Sequence, residues 1–194
     1  MQPRNLDTVT AGTFGAMIVT GGDTDRRAAF LAHLVGVWAP LPDVRFVGAD
    51  RGELAPVAPR LNCRVDLGAG PAPARLLGQV HSEMFRRPDA AVFTPTEAAP
   101  LIVAVLAEAT EFYAAPAAAN LMEGIARMGT ARGVALVASA PGIAELPAGL
   151  TGGAAVRVDV SQWPAPATDT AAAAAVAGAQ FARPVRGVTI GAQN

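Results

Sequence analysis

The chain has 194 residues with sixteen acidic and fifteen basic side chains, and every basic one is arginine, so catalysis or phosphate binding that depends on lysine is excluded. A net charge of −1, with arginines scattered from Arg4 to Arg186, leaves no basic stripe to neutralise a run of phosphates, so strong independent nucleic-acid binding is not expected. One cysteine, Cys63, excludes an intrachain disulfide and argues against a multi-thiolate metal site, and no apolar run has the length of a membrane span.

An apolar fraction of 52% fits a single globular domain spanning residues 1–194, large enough for a substantial core. The opening MQPRNLDTVTAG has no basic stretch followed by an apolar one, so a cytoplasmic, reducing setting is expected. Richness in Ala, Arg, Gly and Pro points to a compositional bias acting over the whole chain, and the missing lysine is partly accounted for by it.

In chain order, Met17–Thr20 (MIVT) is an apolar run ending at Gly21-Gly22, and RRAAFLAHLVGVW, residues 26–38, has apolar residues at helical spacing, which predicts strand, turn and helix. Val44–Ala49 predicts a second strand, ending at Asp50, which is placed to cap the turn into RGEL. Arg75–Arg87 predicts a helix with Leu76, Leu77, Val80 and Met84 on one face. Leu101–Leu106 (LIVAVL) is dense enough to be a central strand buried on both faces. Ala118–Met128 predicts a helix, Val134–Ser139 (VALVAS) a strand and Val156–Val160 another. Trp163–Thr168 is the nearest approach to a linker. An alanine-rich helix is predicted over Thr168–Phe181, capped from Thr168, Asp169 or Thr170, and a last strand over Arg186–Ile190. This alternation predicts a three-layer α/β domain, a mostly parallel sheet with helices on both faces and ligands at the carboxyl ends of its strands.

The order of these segments resembles the motor domain of the FtsK/SpoIIIE family, which includes DNA translocases and type VII secretion ATPase modules. MIVTGGDTDRRAAFL lies where that family has its phosphate loop, VRFVGAD resembles its second strand, and HSEMFRR its E-M-x-R-R helix end. LIVAVLAEATEF lies where its Walker B strand belongs, MEGIARMGTARGVALVASAP resembles its helix, Gly-Arg turn and sensor strand, and GAQFARPVRGVTI its closing segment. The resemblance runs from about Gly15 to Ile190 and implies a RecA-like P-loop NTPase fold, with ATP and magnesium as the family's cofactors and oligomers as its working form.

A working loop, G-x-x-x-x-G-K-[ST], turns backbone N–H groups onto the phosphates, reaches them with lysine and ligates magnesium through its hydroxyl. By the resemblance the corresponding residues are Gly21, Gly22, Asp23, Thr24, Asp25, Arg26, Arg27 and Ala28. Arg26 stands at the second glycine, where its side chain would crowd the turn, Arg27 stands at the lysine and Ala28 at the hydroxyl. Ala107 stands at the magnesium-linked aspartate, leaving Glu108 as the one matched carboxylate and the one candidate base. SAPG, residues 139–142, replaces the sensor's Thr-Gln-Arg-Pro, and Thr130 replaces the arginine of the Gly-Arg turn, with Arg132 nearby as a substitute.

Losing the cation, the metal hydroxyl and the metal carboxylate together removes the positioning on which phosphoryl transfer depends. A catalytically inactive domain is therefore expected, a regulatory or scaffolding subunit of a ring motor, DNA-translocation or type VII secretion complex, with protein partners and no resident cofactor or metal. A residual nucleotide binder using Gly21, Gly22 and Arg27 is the alternative. A short-chain-dehydrogenase-like NAD(P) site ranks below it, since that family's Tyr-x-x-x-Lys pair cannot exist without lysine. On residue type alone, Arg26 and Arg27 read equally well as solvated residues at a helix start, Glu108 as a hydrogen-bonding residue, His33 and His81 as ordinary packing or surface positions, and Cys63 as a small, partly buried hydrophobe.

Overall fold

A computed structural model describes residues 15–91, 93–151, 155–163 and 189–191. Its centre is a seven-stranded sheet formed by β1 (Ala16–Thr20), β2 (Val44–Asp50), β3 (Cys63–Asp66), β4 (Leu101–Leu106), β5 (Val134–Ser139), β6 (Val156–Asp159) and β7 (Thr189–Gly191). Their order across the sheet is β3-β2-β4-β5-β1-β6-β7. The first six strands are parallel, and β7 pairs antiparallel to β6 at one edge. The helices are α1 (Thr24–Trp38), α2 (Ala72–Arg86), α3 (Thr110–Tyr113), α4 (Pro116–Met128) and α5 (Ala148–Thr151), so the three-layer α/β reading holds.

The layers follow from side-chain alternation along the strands. In β1, Met17 and Val19 face the side covered by α1 through Phe30, Leu31, Leu34 and Val35, whereas Ala16 and Ile18 face the side covered by α2 and α4. The central strands β4 and β5 are apolar on both faces, as a parallel sheet between two helical layers requires. On the second face Leu77, Met84, Met122 and Ile125 are fully buried.

Most elements match the sequence reading within two or three residues, and β4 and β5 match it residue for residue. The four-residue edge strand β3 was not anticipated. It also corrects Cys63, which is exposed rather than partly buried because β3 is the outer strand among the described residues. The predicted helix over Thr168–Phe181, and all but the end of the predicted Arg186–Ile190 strand, lie outside the described residues. Among the described residues no helix is long and apolar enough to cross a membrane.

The helix-end resemblance in HSEMFRR has a structural counterpart at the amino end of the sheet. Met84 is fully buried, and Arg87 donates from Nη1 to the carbonyls of Pro100 (2.8 Å) and Gly133 (3.0 Å), tying the end of α2 to the starts of β4 and β5.

Candidate functional site

Parallel order places the carboxyl ends of β1, β4 and β5 together, with β5 between the other two. The β1–α1 connection is only Gly21, Gly22 and Asp23, because α1 begins at Thr24. Both glycines have positive φ, 79° and 63°, whereas Arg26 lies inside the helix. The expected clash of Arg26 with a glycine turn therefore does not arise: the chain starts its helix before the position where a second loop glycine would stand. Arg26 is half-buried and faces Asp23 at 3.9 Å.

The helix amino terminus, an anion site in a working loop, is occupied by the chain's own carboxylate. Asp23 caps α1, its Oδ1 accepting from the Arg26 N–H at 2.9 Å, and Asp25 adds negative charge in the first turn. Thr24 opens the helix and its hydroxyl faces the next feature, while Ala28 has no group to offer a metal.

Arg27 is not a solvated residue, as its place near a helix start suggested; its side chain is 3% exposed. Nε and Nη2 donate to Glu108 Oε1 and Oε2, both at 2.7 Å, in a bidentate pair. Nη1 donates to the carbonyl oxygens of Gly22 (2.7 Å) and Gly21 (3.2 Å), and Nη2 also reaches Thr24 Oγ1 at 3.2 Å. A guanidinium has five N–H donors, and each here has an acceptor within the chain, so none is left for a phosphate oxygen. The bonds to Glu108 hold the guanidinium protonated above its ordinary range, and the charges of Glu108, Asp23 and Glu145 add to this against the cost of burial.

Glu108 reaches Arg27 across the end of β5, and Ser139 fills the space between. The Ser139 hydroxyl donates to Glu108 Oε1 at 2.8 Å and accepts from the Glu108 N–H at 3.0 Å. Glu108 is also the one non-glycine among the described residues with positive φ, 52°, a conformation that costs a side-chain-bearing residue about 1–2 kcal/mol. The sensor position and the candidate base are thus joined in one clasp with Arg27. With its carboxylate engaged by Arg27 and Ser139, Glu108 serves as a hydrogen-bonding residue.

Beneath the clasp the only tyrosine, Tyr113, points its hydroxyl at the carbonyls of Leu106 (2.9 Å) and Ser139 (3.0 Å). Burial pushes its phenol well above the usual value of about 10. The charged form is thus disfavoured in the fold, and the stability this contributes is present below about pH 10 and lost as pH rises beyond it. In an absorbance titration the tyrosinate band therefore emerges together with loss of fold. Ionisation at the ordinary value with the fold intact would contradict the buried bonding.

Asp50 caps the next turn as expected, accepting from Gly52 N–H at 2.6 Å, and in addition holds Arg64 of β3 at 2.6 and 2.7 Å. This carboxylate is fully buried and fastens the end of β2 to β3. Arg132, the suggested substitute in the Gly-Arg turn, lies at the amino end of β5, the length of that strand from Ser139, and pairs with Asp89 at 2.6 and 2.9 Å. It is not part of the clasp. His33 packs against Trp163 and His81 against Phe85, and among the described residues no group of three or more His, Cys, Asp or Glu converges as a metal site.

No family model and no curated protein matches the sequence. Solved structures do match the fold. The cytoplasmic domain of the type VII secretion ATPase EccC from Thermomonospora curvata is similar with a TM-score of 0.64 and 16% identity, over 76% of this chain and 20% of that one. ATPases 2 and 3 of the same organism's EccC, in complex with a signal sequence peptide, give 0.57 and 19%, over 76% of this chain and 31% of that one. ATPases 2 and 3 of EssC from Geobacillus thermodenitrificans give 0.56 and 14%, over 76% and 32%. The chain spans about a fifth to a third of these solved chains and shares the RecA-like fold of their P-loop ATPase domains.

Proposed function

We propose that this chain is a catalytically inactive P-loop ATPase-like module that works through protein contacts, as a regulatory or scaffolding subunit of a ring motor, DNA-translocation or type VII secretion complex, in a homo- or hetero-oligomer. One observation carries this reading: the guanidinium standing at the lysine position has all five donors bonded within the chain, two of them to the residue that would act as base. The carbonyls of Gly21 and Gly22 face this cation, and Asp23 caps the helix terminus, so the chain's own groups stand where a phosphate would be held. Ala107 and Ala28 leave magnesium without ligands at the two positions where the family resemblance places them.

Resemblance to secretion ATPase modules, one of them solved with a signal sequence peptide, supports a protein client over a nucleic-acid one, as does the near-neutral charge. The purified protein is expected to show no magnesium-dependent ATP hydrolysis above a protein-free blank. Turnover that disappears in Glu108→Gln would overturn the assignment.

A further inference from the structure

The geometry points to a guanidinium-binding site where the fold's phosphate site would lie, with Arg27 as its tethered ligand. The inference rests on reading this site as closed to nucleotide, and it names the chemical class that the site accepts instead. Five acceptors line it: Glu108 Oε1 and Oε2 on one edge of the guanidinium, Gly21 O and Gly22 O on another, and Thr24 Oγ1 between Nη2 and the helix start.

These acceptors discriminate by shape as well as charge. A carboxylate set side-on to Nε and Nη2 fits a planar fork, and two neighbouring carbonyls take the remaining Nη1 hydrogens. An ammonium group has three donors in a tetrahedral cone and leaves acceptors unmet. A phosphate offers only oxygen to oxygen. The residues supplying four of the five acceptors, Gly21, Gly22 and Glu108, all have left-handed backbone. At Glu108 that conformation is held by the reciprocal bonds with Ser139. The acceptor array is therefore supported by the fold on the side away from Arg27 and does not depend on the guanidinium alone for its shape.

The consequence is a module fixed in one state. The ligand that joins the β1–α1 turn to the end of β4 is here part of the chain. Cutting the tether exposes the site to a free ligand of the same class.

The test is Arg27→Ala in the full chain, its melting temperature followed against millimolar ethylguanidinium, with ethylammonium, sodium chloride at equal ionic strength and Mg-ATP in parallel. Ethylguanidinium should raise the melting temperature of Arg27→Ala saturably by several degrees, with no such rise in the unmodified protein or in Arg27→Ala/Glu108→Gln. Ethylammonium and Mg-ATP should leave Arg27→Ala at its salt-matched value. A response equal to that of the unmodified protein, or equal for the two organic cations, overturns the inference. If Arg27→Ala does not fold, nitrogen-15 NMR of the unmodified protein decides. One arginine with resolved, slowly exchanging Nη hydrogens that vanish in Arg27→Lys supports the site, and their absence overturns it. Turnover of ATP by the unmodified chain sinks the functional reading, whereas a missing guanidinium response with the unmodified chain silent to ATP sinks this inference alone.

Discussion

Replacing Glu108 with alanine lowers the unfolding free energy by about 3–5 kcal/mol, read by urea denaturation. The loss is large because it strands Arg27, whose side chain is 3% exposed and would keep its charge with only two carbonyls and a hydroxyl as partners. It also removes the acceptor of the Ser139 hydroxyl, which is fully buried. The converse change should cost less, since Glu108 is 12% exposed, retains Ser139 and can hydrate. Replacing both partners together, Arg27→Met with Glu108→Leu, should recover most of the loss, because an apolar pair of similar volume avoids desolvating two charges. A Glu108→Ala protein within about 1 kcal/mol of the unmodified one would mean that Arg27 finds water on its own, and the clasp would then be a surface pair of little consequence.

Gly21→Ala is expected to cost about 2–3 kcal/mol. At φ 79° the backbone is left-handed, and a Cβ there would intrude on Asp159 Oδ1 and Ser161 Oγ. Asp159 has little freedom to withdraw, since its Oδ1 accepts from both Ser161 N–H (2.8 Å) and Ser161 Oγ–H (2.5 Å), bonds that also hold its carboxyl below the usual range. Gly70, at φ 59° with open space around it, provides the comparison: Gly70→Ala meets only the backbone penalty, about 1 kcal/mol. Equal costs at the two positions would remove the steric part of the argument. The glycine pair is thus required by a tight turn against β6, independently of any phosphate.

What the sequence made legible divides along physical lines. Central strands are buried on both faces, so Leu101–Leu106 and Val134–Ser139 stand out as unbroken apolar runs and were bounded correctly. Edge strand β3 has one partly buried residue among four, Val65, and leaves no comparable trace. The apolar spacing from Arg26 onward puts the start of α1 two residues late, because the helix opens with the polar Thr24 and Asp25 behind Asp23, a good N-cap residue. Asp50 was legible as a cap, since the bond to Gly52 is local, but its pairing with Arg64 across two strands was not. The clasp is a mixed case. Glu108 follows Arg27 by 81 residues, and the family resemblance puts both at one site, but no periodicity or motif gives their ion pair, which forms because the sheet order brings β4 within reach of the β1–α1 turn. The lost lysine read as a missing part, whereas the structure has a different cation in place with a full set of partners.

Calorimetric titration of the unmodified chain with Mg-ATP to millimolar nucleotide decides whether the Arg27–Glu108 clasp closes this site. No saturable heat is expected, because the five Arg27 donors are already bonded to Glu108, Gly21, Gly22 and Thr24 and the Arg26 N–H of the helix terminus is capped by Asp23. Saturable binding with micromolar affinity, lost in Arg27→Ala, would contradict it, since Arg27 would then be leaving Glu108 to hold the nucleotide.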